Sequence, residues 1–287
     1  MFDKKIGLVL EGGGLRGVYT AGVLDFFMEK GFYAPYVIGV SAGACQAYSY
    51  LSKQSGRSFR VSYDYMGDPR YLSLRSLITK GEIFGMDFMF EEIPKKLIPF
   101  EFEAFNNSPQ EFVIGVTNCQ TGKAEYFSNK DGHDMFLMGR ASSSLPIVSK
   151  VVKVYDKPYL DGGISDPIPI RQAQADGYEN NIVILTRDEA YLKKESKNTV
   201  RVLKRLYRQY PELAKTYDLR ARVYNESLEY LTELERCGNV FIIRPQKNVS
   251  VGRLEKNVQK LKDFYDEGNN EARDIWPKLE GWLGGLK

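Results

Sequence analysis

Ser41 is the middle residue of Gly39-Val40-Ser41-Ala42-Gly43, and that pentad follows directly on the apolar run Tyr36-Val37-Ile38. The stretch after it, Ala44-Cys45-Gln46-Ala47-Tyr48-Ser49-Tyr50-Leu51, is rich in small residues and reads as a helix. A strand that delivers Gly-x-Ser-x-Gly into a helix is the context of a nucleophile elbow. The turn is so sharp that side chains two residues either side of the serine would collide, which the glycines avoid. A serine held there points its hydroxyl out of the sheet edge, within reach of a substrate.

A second motif lies upstream. The buried-strand pattern Ile6-Gly7-Leu8-Val9-Leu10 runs into Glu11-Gly12-Gly13-Gly14-Leu15-Arg16-Gly17, and a helical stretch follows from Val18 to Lys30. Val18, Ala21, Leu24, Phe27 and Met28 fall on or near one face of that helix, and Gly31 stops it. Strand, helix and strand joined this compactly form a parallel βαβ unit with a right-handed crossover. Both strands then end on one sheet edge, which brings the glycine loop beside Ser41.

Gly12-x-Gly14-x-x-Gly17 also matches the dinucleotide fingerprint, which needs an acid at the end of the second strand. No acid stands between Lys30 and Ser52, and no Lys-Ser or Lys-Thr pair follows the last glycine as a P-loop requires. Consecutive glycines at a helix N-terminus expose backbone N–H groups, which suit an oxyanion as well as a phosphate. With a nucleophile alongside, an oxyanion hole is the economical assignment.

The serine needs a base. The single histidine, His133, sits in Asn129-Lys130-Asp131-Gly132-His133-Asp134, a polar stretch that reads as an exposed turn. The alternative is an aspartate, and Asp161 in Tyr159-Leu160-Asp161-Gly162-Gly163 stands where a short strand ends. Asp156 and Asp166, each near a proline, read as turn residues. Asp-Gly is also common hairpin punctuation, so the residues alone leave Asp161 balanced between base and turn.

The three motifs in this order and spacing resemble the patatin-like phospholipase family, over roughly residues 5–175. Ala141-Ser142-Ser143-Ser144-Leu145-Pro146 is similar to the small-residue helix that the family places near its site. The resemblance implies an α/β fold, a three-layer sandwich with a mainly parallel central sheet, and a Ser–Asp dyad without histidine. Ser41 would be the nucleophile, Asp161 its base, and the N–H groups of Gly12, Gly13 and Gly14 the oxyanion hole. Arg16 would add positive potential, with Leu15, Gly17, Gly39, Gly43, Gly162 and Gly163 in support. The family often ends its third motif in Gly-Ala, where this chain has Gly162-Gly163. The implied activity is hydrolysis of acyl esters of phospholipids or related lipids through an acyl-enzyme, with no metal and no cofactor.

Two other function classes fit parts of the chain. A nucleotide-binding regulatory protein would keep the glycine loop and treat Ser41 as structural, and a lipid-responsive adaptor would keep the fold with little turnover.

The remaining sequence sets further expectations. Residues 176–287 read as a mostly helical extension, with strands at residues 181–186 and 240–244 returning to the same sheet and two helices closing the chain. Cys45, Cys119 and Cys237 are odd in number and far apart, which argues against a disulfide framework and for a cytoplasmic protein. A strand starting by Ile6 leaves no room for a signal peptide. A net charge of +3 does not favour nucleic acid. Residues 193–208 hold seven basic residues and one acid, Glu195. Wound as a helix, they place Arg201, Lys204, Arg205 and Arg208 on one side and Val200, Val202, Leu203, Leu206, Tyr207 and Tyr210 on the other. That layout suits either a solvated face or docking on an anionic membrane. Residues 83–105, dense in Phe, Met, Ile and Leu, read as core or as a lid over an acyl pocket.

Overall fold

The computed structural model describes residues 5–247 and 249–286. Eight strands form one sheet: β1 (Ile6–Leu10), β2 (Tyr36–Val40), β3 (Glu111–Asn118), β4 (Ala124–Ser128), β5 (Val152–Val154), β6 (Lys157–Asp161), β7 (Asn180–Ile184) and β8 (Val240–Ile243). The helices are α1 (Gly17–Glu29), α2 (Ala42–Leu51), α3 (Arg57–Tyr63), α4 (Leu74–Lys80), α5 (Phe102–Asn106), α6 (Met135–Ser142), α7 (Ile170–Ala175), α8 (Lys197–Leu206), α9 (Pro211–Arg236) and α10 (Val258–Gly285). A π-helix, Phe88–Leu97, carries Pro94 and lies between α4 and α5.

The strand order is β5-β6-β3-β2-β1-β7-β8, with β4 also on β3. Strands β3, β2, β1, β7 and β8 are parallel, while β4 and β6 pair antiparallel with β3 and β5 pairs antiparallel with β6, so the sheet is mixed with a parallel centre. Side chains alternate across a strand, and here both sets are buried. Ile6, Leu8 and Leu10 of β1 and Ile182 and Ile184 of β7 enter the larger core, with residues of α1, α2 and α10. Val9 and Val183 enter the opposite core, with Ile170 and Ala173 of α7 and Tyr224 and Leu231 of α9. Helices on both faces of one sheet make the three-layer α/β sandwich.

β3 sets the distance between the two halves of the site. Its edge toward β4 is occupied from Val113 to Thr117, so β2 and β6 share the other edge end to end. Val40, the last residue of β2, is opposite Gly115, and Asp161, the last of β6, is opposite Val116. The residue after Val40 therefore meets Asp161 across the gap between two strand ends.

The C-terminal part departs from the sequence reading in one respect. A single helix, α10, closes the chain in place of two, and Pro277 lies inside it. It packs on α1 at a close crossing: a Cβ on Gly22 would lie 2.1 Å from the Tyr265 carbonyl oxygen, and one on Gly268 2.2 Å from that of Tyr19.

Candidate active site

Ser41 joins β2 to α2 with φ 53° and ψ −120°, a left-handed conformation that costs a non-glycine residue about 1–3 kcal/mol. Three contacts hold it there. Its N–H donates to Ser142 Oγ (2.8 Å), its carbonyl accepts from Cys45 N–H (3.1 Å), and its hydroxyl donates to Asp161 Oδ2 (2.7 Å). The elbow rests directly on the end of β1, since a Cβ on Gly43 would stand 2.3 Å from the Leu10 carbonyl oxygen. Any larger residue at that position has to part α2 from the sheet.

Ser142 performs a task the sequence did not reveal. Its hydroxyl accepts from Ser41 N–H and donates to the Gly115 carbonyl at 2.7 Å. The β2–β3 ladder would continue at this place. The hydroxyl replaces that ladder bond, letting the chain turn at Ser41 without orphaning either backbone group. The small-residue stretch at 141–146 pointed to this helix, but not to a hydroxyl bridging two strands.

Asp161 is 2% exposed. Its Oδ1 accepts from Gly163 N–H (2.7 Å), its own N–H donates to the Ser144 carbonyl (2.8 Å), and its carbonyl accepts from Thr117 Oγ1 (2.8 Å). Burial raises its pKa above the ordinary carboxylate value, opposed by the Ser41 hydrogen bond, Arg220, the Gly163 N–H and Arg253. The other candidates lie elsewhere. His133 Nδ1 is 3.1 Å from the Tyr155 hydroxyl and its ring packs edge-on to Phe127. Asp166 accepts from the Tyr126 hydroxyl (2.6 Å), and Asp156 sits in a turn at φ 64°.

The glycine loop lies beside the elbow. Gly12 N–H donates to the Pro167 carbonyl (3.3 Å) and Leu15 N–H to the Arg253 carbonyl (3.1 Å). Gly13 and Gly14 N–H have no acceptor among the described residues. The free donors are thus Gly13 and Gly14; the three-glycine expectation loses Gly12, whose N–H already holds the loop to the chain after β6. Gly14 is at φ +60°, and a Cβ there would lie 2.7 Å from the Arg253 carbonyl oxygen. Gly17 packs on α2, where a Cβ would come 2.9 Å from that of Ala42. Leu15 and Arg16 are buried, and Arg16 is held down to about 10 by burial, which the charge of Glu11 partly offsets.

Glu11, between β1 and the loop, is buried and fully engaged. Its Oε2 accepts from Thr186 N–H (2.5 Å) and Oγ1 (3.0 Å), and its Oε1 from the Tyr224 hydroxyl (2.8 Å). It ties the start of the loop to the end of β7 and to α9.

An apolar cavity opens at Ser41 and runs between α2, α3 and the π-helix, past Leu15, Val61, Phe84, Met89, Phe90 and Leu145. Residues 83–105 are therefore core and cavity wall together: Ile93, Ile98 and Phe105 are buried, while Phe84, Met86, Met89, Phe90 and Pro94 line the space. Cys45 also lines it, but burial holds its thiol up at about 11, so it stays protonated.

The patatin-like phospholipase family model matches residues 8–173, which hold Ser41, Ser142, Asp161 and the glycine loop, and the chain belongs to that family. A second model, a domain of unknown function (DUF6363), matches residues 210–284. The uncharacterized protein YjjU of Escherichia coli (strain K12) is 30% identical over 188 residues, covering 63% of this chain and 52% of that protein. The probable lipid hydrolase 463L of Invertebrate iridescent virus 6 is 24% identical over 186 residues, covering 57% of this chain and 61% of that one. The matches thus span only 52% and 61% of the length of these curated relatives. Among solved structures, VipD from Legionella pneumophila aligns over 95% of this chain and 66% of its own, with 13% identity and a TM-score of 0.49.

Proposed function

We propose that the protein is a serine acylhydrolase that cleaves acyl esters of phospholipids or related lipids through a Ser41–Asp161 dyad. The observation that carries this reading is the 2.7 Å hydrogen bond from Ser41 Oγ to Asp161 Oδ2 at the mouth of an apolar cavity. Ser41 Oγ attacks the acyl carbonyl carbon, and its proton passes to Asp161 Oδ2. The carbonyl oxygen becomes an oxyanion beside the unengaged N–H groups of Gly13 and Gly14. Such donors matter: removing one typically costs about 100- to 1000-fold in rate. Collapse of the tetrahedral intermediate expels the alcohol, which takes the proton from Asp161 and leaves the acyl group on Ser41. Water then attacks the acyl-enzyme, gives a proton to Asp161, and releases the fatty acid as Ser41 regains its hydrogen.

An aspartate near its ordinary pKa of about 3.9 is a weak base, and burial of Asp161 moves it toward the working pH. The apolar cavity takes the acyl chain, which gives lipid esters their advantage over small water-soluble ones.

Contact with a membrane surface is part of the same proposal. No helix among the described residues is long and apolar enough to cross a membrane. Helix α8 buries Val200 and Leu203 but leaves Val202 43% and Leu206 55% exposed, and Arg201, Lys204 and Arg205 flank them on the helix. Cations interleaved with exposed apolar side chains suit the surface of an anionic bilayer.

The test is fluorophosphonate labelling mapped by peptide mass spectrometry, run beside fatty-acid release from phospholipid vesicles. Adduct on Ser41, with release lost in Ser41→Ala, is the expected result. A folded protein with neither adduct nor release would overturn the reading in favour of a binding protein on this fold.

A further inference from the structure

The chain after β7 brings three cations to the edge of the site. Lys193 lies in the segment leading to α8, Arg220 on α9, and Arg253 in the segment leading to α10. They line one cavity of about 200 Å³, with Tyr191, Tyr217 and Ser196 in its wall. The cavity is fastened to both motifs of the site. The Arg253 carbonyl accepts the Leu15 N–H of the glycine loop (3.1 Å), and Arg220 Nε donates to the carbonyl of Gly163, two residues past Asp161.

Among the described residues none of the three cations forms an ion pair. Glu11 attracts Lys193 electrostatically, but its oxygens are taken by Thr186 and Tyr224. Asp161 attracts Arg220 and Arg253 electrostatically, but its oxygens are hydrogen-bonded to Ser41 and Gly163. Glu195 and Asp218 border the cavity from exposed positions. What Lys193 does have is the face of Tyr224, 3.8 Å from its Nζ to the ring centroid. Gathering like charges away from bulk water costs free energy that an ion of opposite sign recovers. The cost is visible in the lysine, which burial first and then the charges of Arg220 and Arg253 hold down at about 6.

We infer that this cavity is a phosphate subsite, in which Lys193, Arg220 and Arg253 bind the phosphate of an acyl-ester substrate whose acyl chain occupies the apolar cavity at Ser41. Two guanidinium groups, with the ammonium that Lys193 regains beside a bound anion, match a phosphate's several acceptor oxygens, where a neutral glycerol head would leave the cations unanswered. The inference rests on the acylhydrolase reading and adds to it a preference for phosphate-bearing lipids, set by residues from outside the patatin-like segment.

Two measurements test it. The first compares kcat/KM on octanoyl-glycerol phosphate and on octanoylglycerol for the wild type and for Lys193→Gln/Arg253→Gln. A loss of about 10- to 100-fold on the phosphate ester is expected, from charge-assisted hydrogen bonds, with a loss on the neutral ester smaller by about 10-fold or more. Equal losses on both esters, or none on either, would overturn the subsite. If the double variant does not fold, Lys193→Gln alone carries the comparison. The second follows glycerol phosphate and inorganic phosphate binding to Ser41→Ala by calorimetry and phosphorus NMR. Binding of glycerol phosphate that competes with the phosphate ester and disappears in the variant supports the inference. Inorganic phosphate that binds without inhibiting ester hydrolysis marks a free-ion site and overturns it. Glycerol phosphate binding of this kind in a protein that cleaves neither ester would leave the subsite standing and remove the acylhydrolase reading.

Discussion

Two charge groups flank the glycine loop, one buried and one partly exposed, and they are handled in opposite ways. Glu11 is enclosed by three donors from Thr186 and Tyr224, so every interaction its carboxylate needs is made within the chain. Lys193, Arg220 and Arg253 stand a short way along the same edge and form no ion pair among the described residues. The first pattern belongs to architecture: Glu11 ties β1 to β7 and α9. We assign the second to recognition, because the fold itself supplies no ion-paired partner among the described residues. Asp161 shares features of both, since one oxygen is fixed by Gly163 N–H and the other accepts the Ser41 hydroxyl, the proton donor of the proposed reaction.

The largest effect should come from the dyad. Ser41→Ala and Asp161→Asn each should lower fatty-acid release by at least about 1000-fold, measured at saturating substrate. The two should differ in stability. Burial raises the Asp161 pKa, so its charged form is disfavoured by folding, and stability falls as pH rises through that raised value. Asp161→Asn should therefore melt no lower than the wild type at neutral pH, and any gap should close on acidification. In the wild type the acidic limb of the rate profile should lie above the ordinary carboxylate range, since activity requires the carboxylate. A lower melting temperature for Asp161→Asn would place Asp161 with Glu11, as an architectural acid.

Ser142→Ala should come next. It removes the hydroxyl linking Ser41 N–H to the Gly115 carbonyl and leaves both buried, which should cost about 1–3 kcal/mol in denaturant unfolding. Its kcat should fall with KM little changed, because the serine loses its position and the cavity keeps its shape; Ser142→Thr should recover part of that rate.

A smaller change should follow from the apolar wall. Met89→Trp fills the space beside Ser41 and should shift preference toward short acyl chains by about 10-fold, read from kcat/KM across a chain-length series. The smallest should be His133→Ala, within about 2-fold of wild type, since that ring contacts Tyr155 and Phe127.

Much of this was legible in the residues, where the signal is local. Glycine spacing and apolar runs identify β1, the loop, β2 and the elbow because turn chemistry and strand period act over a few residues. Helix α1 was harder. Five positions suggested one apolar face, yet the helix is buried on nearly every side because α10 covers the rest. Helix α8 shows the same limit in reverse: Val202 and Leu206, assigned to the apolar side, face outward while Val200 and Leu203 face the core. The two closing helices read from the sequence are one, α10, which holds Pro277 within it and packs against α1 and β8. Arg220 and Arg253 carried no signal at all. One is among many charges on a long helix and the other is in a connecting segment; only the tertiary fold brings them to Asp161 and the glycine loop.

The central claim is that Ser41 is activated by Asp161 without histidine. The most direct measurement is the rate of fluorophosphonate labelling at Ser41, mapped by mass spectrometry, in the wild type, Asp161→Asn and His133→Ala. The dyad predicts labelling confined to Ser41, near wild-type rate in His133→Ala and a collapse in Asp161→Asn. Unchanged labelling in Asp161→Asn, or a collapse in His133→Ala, would contradict it.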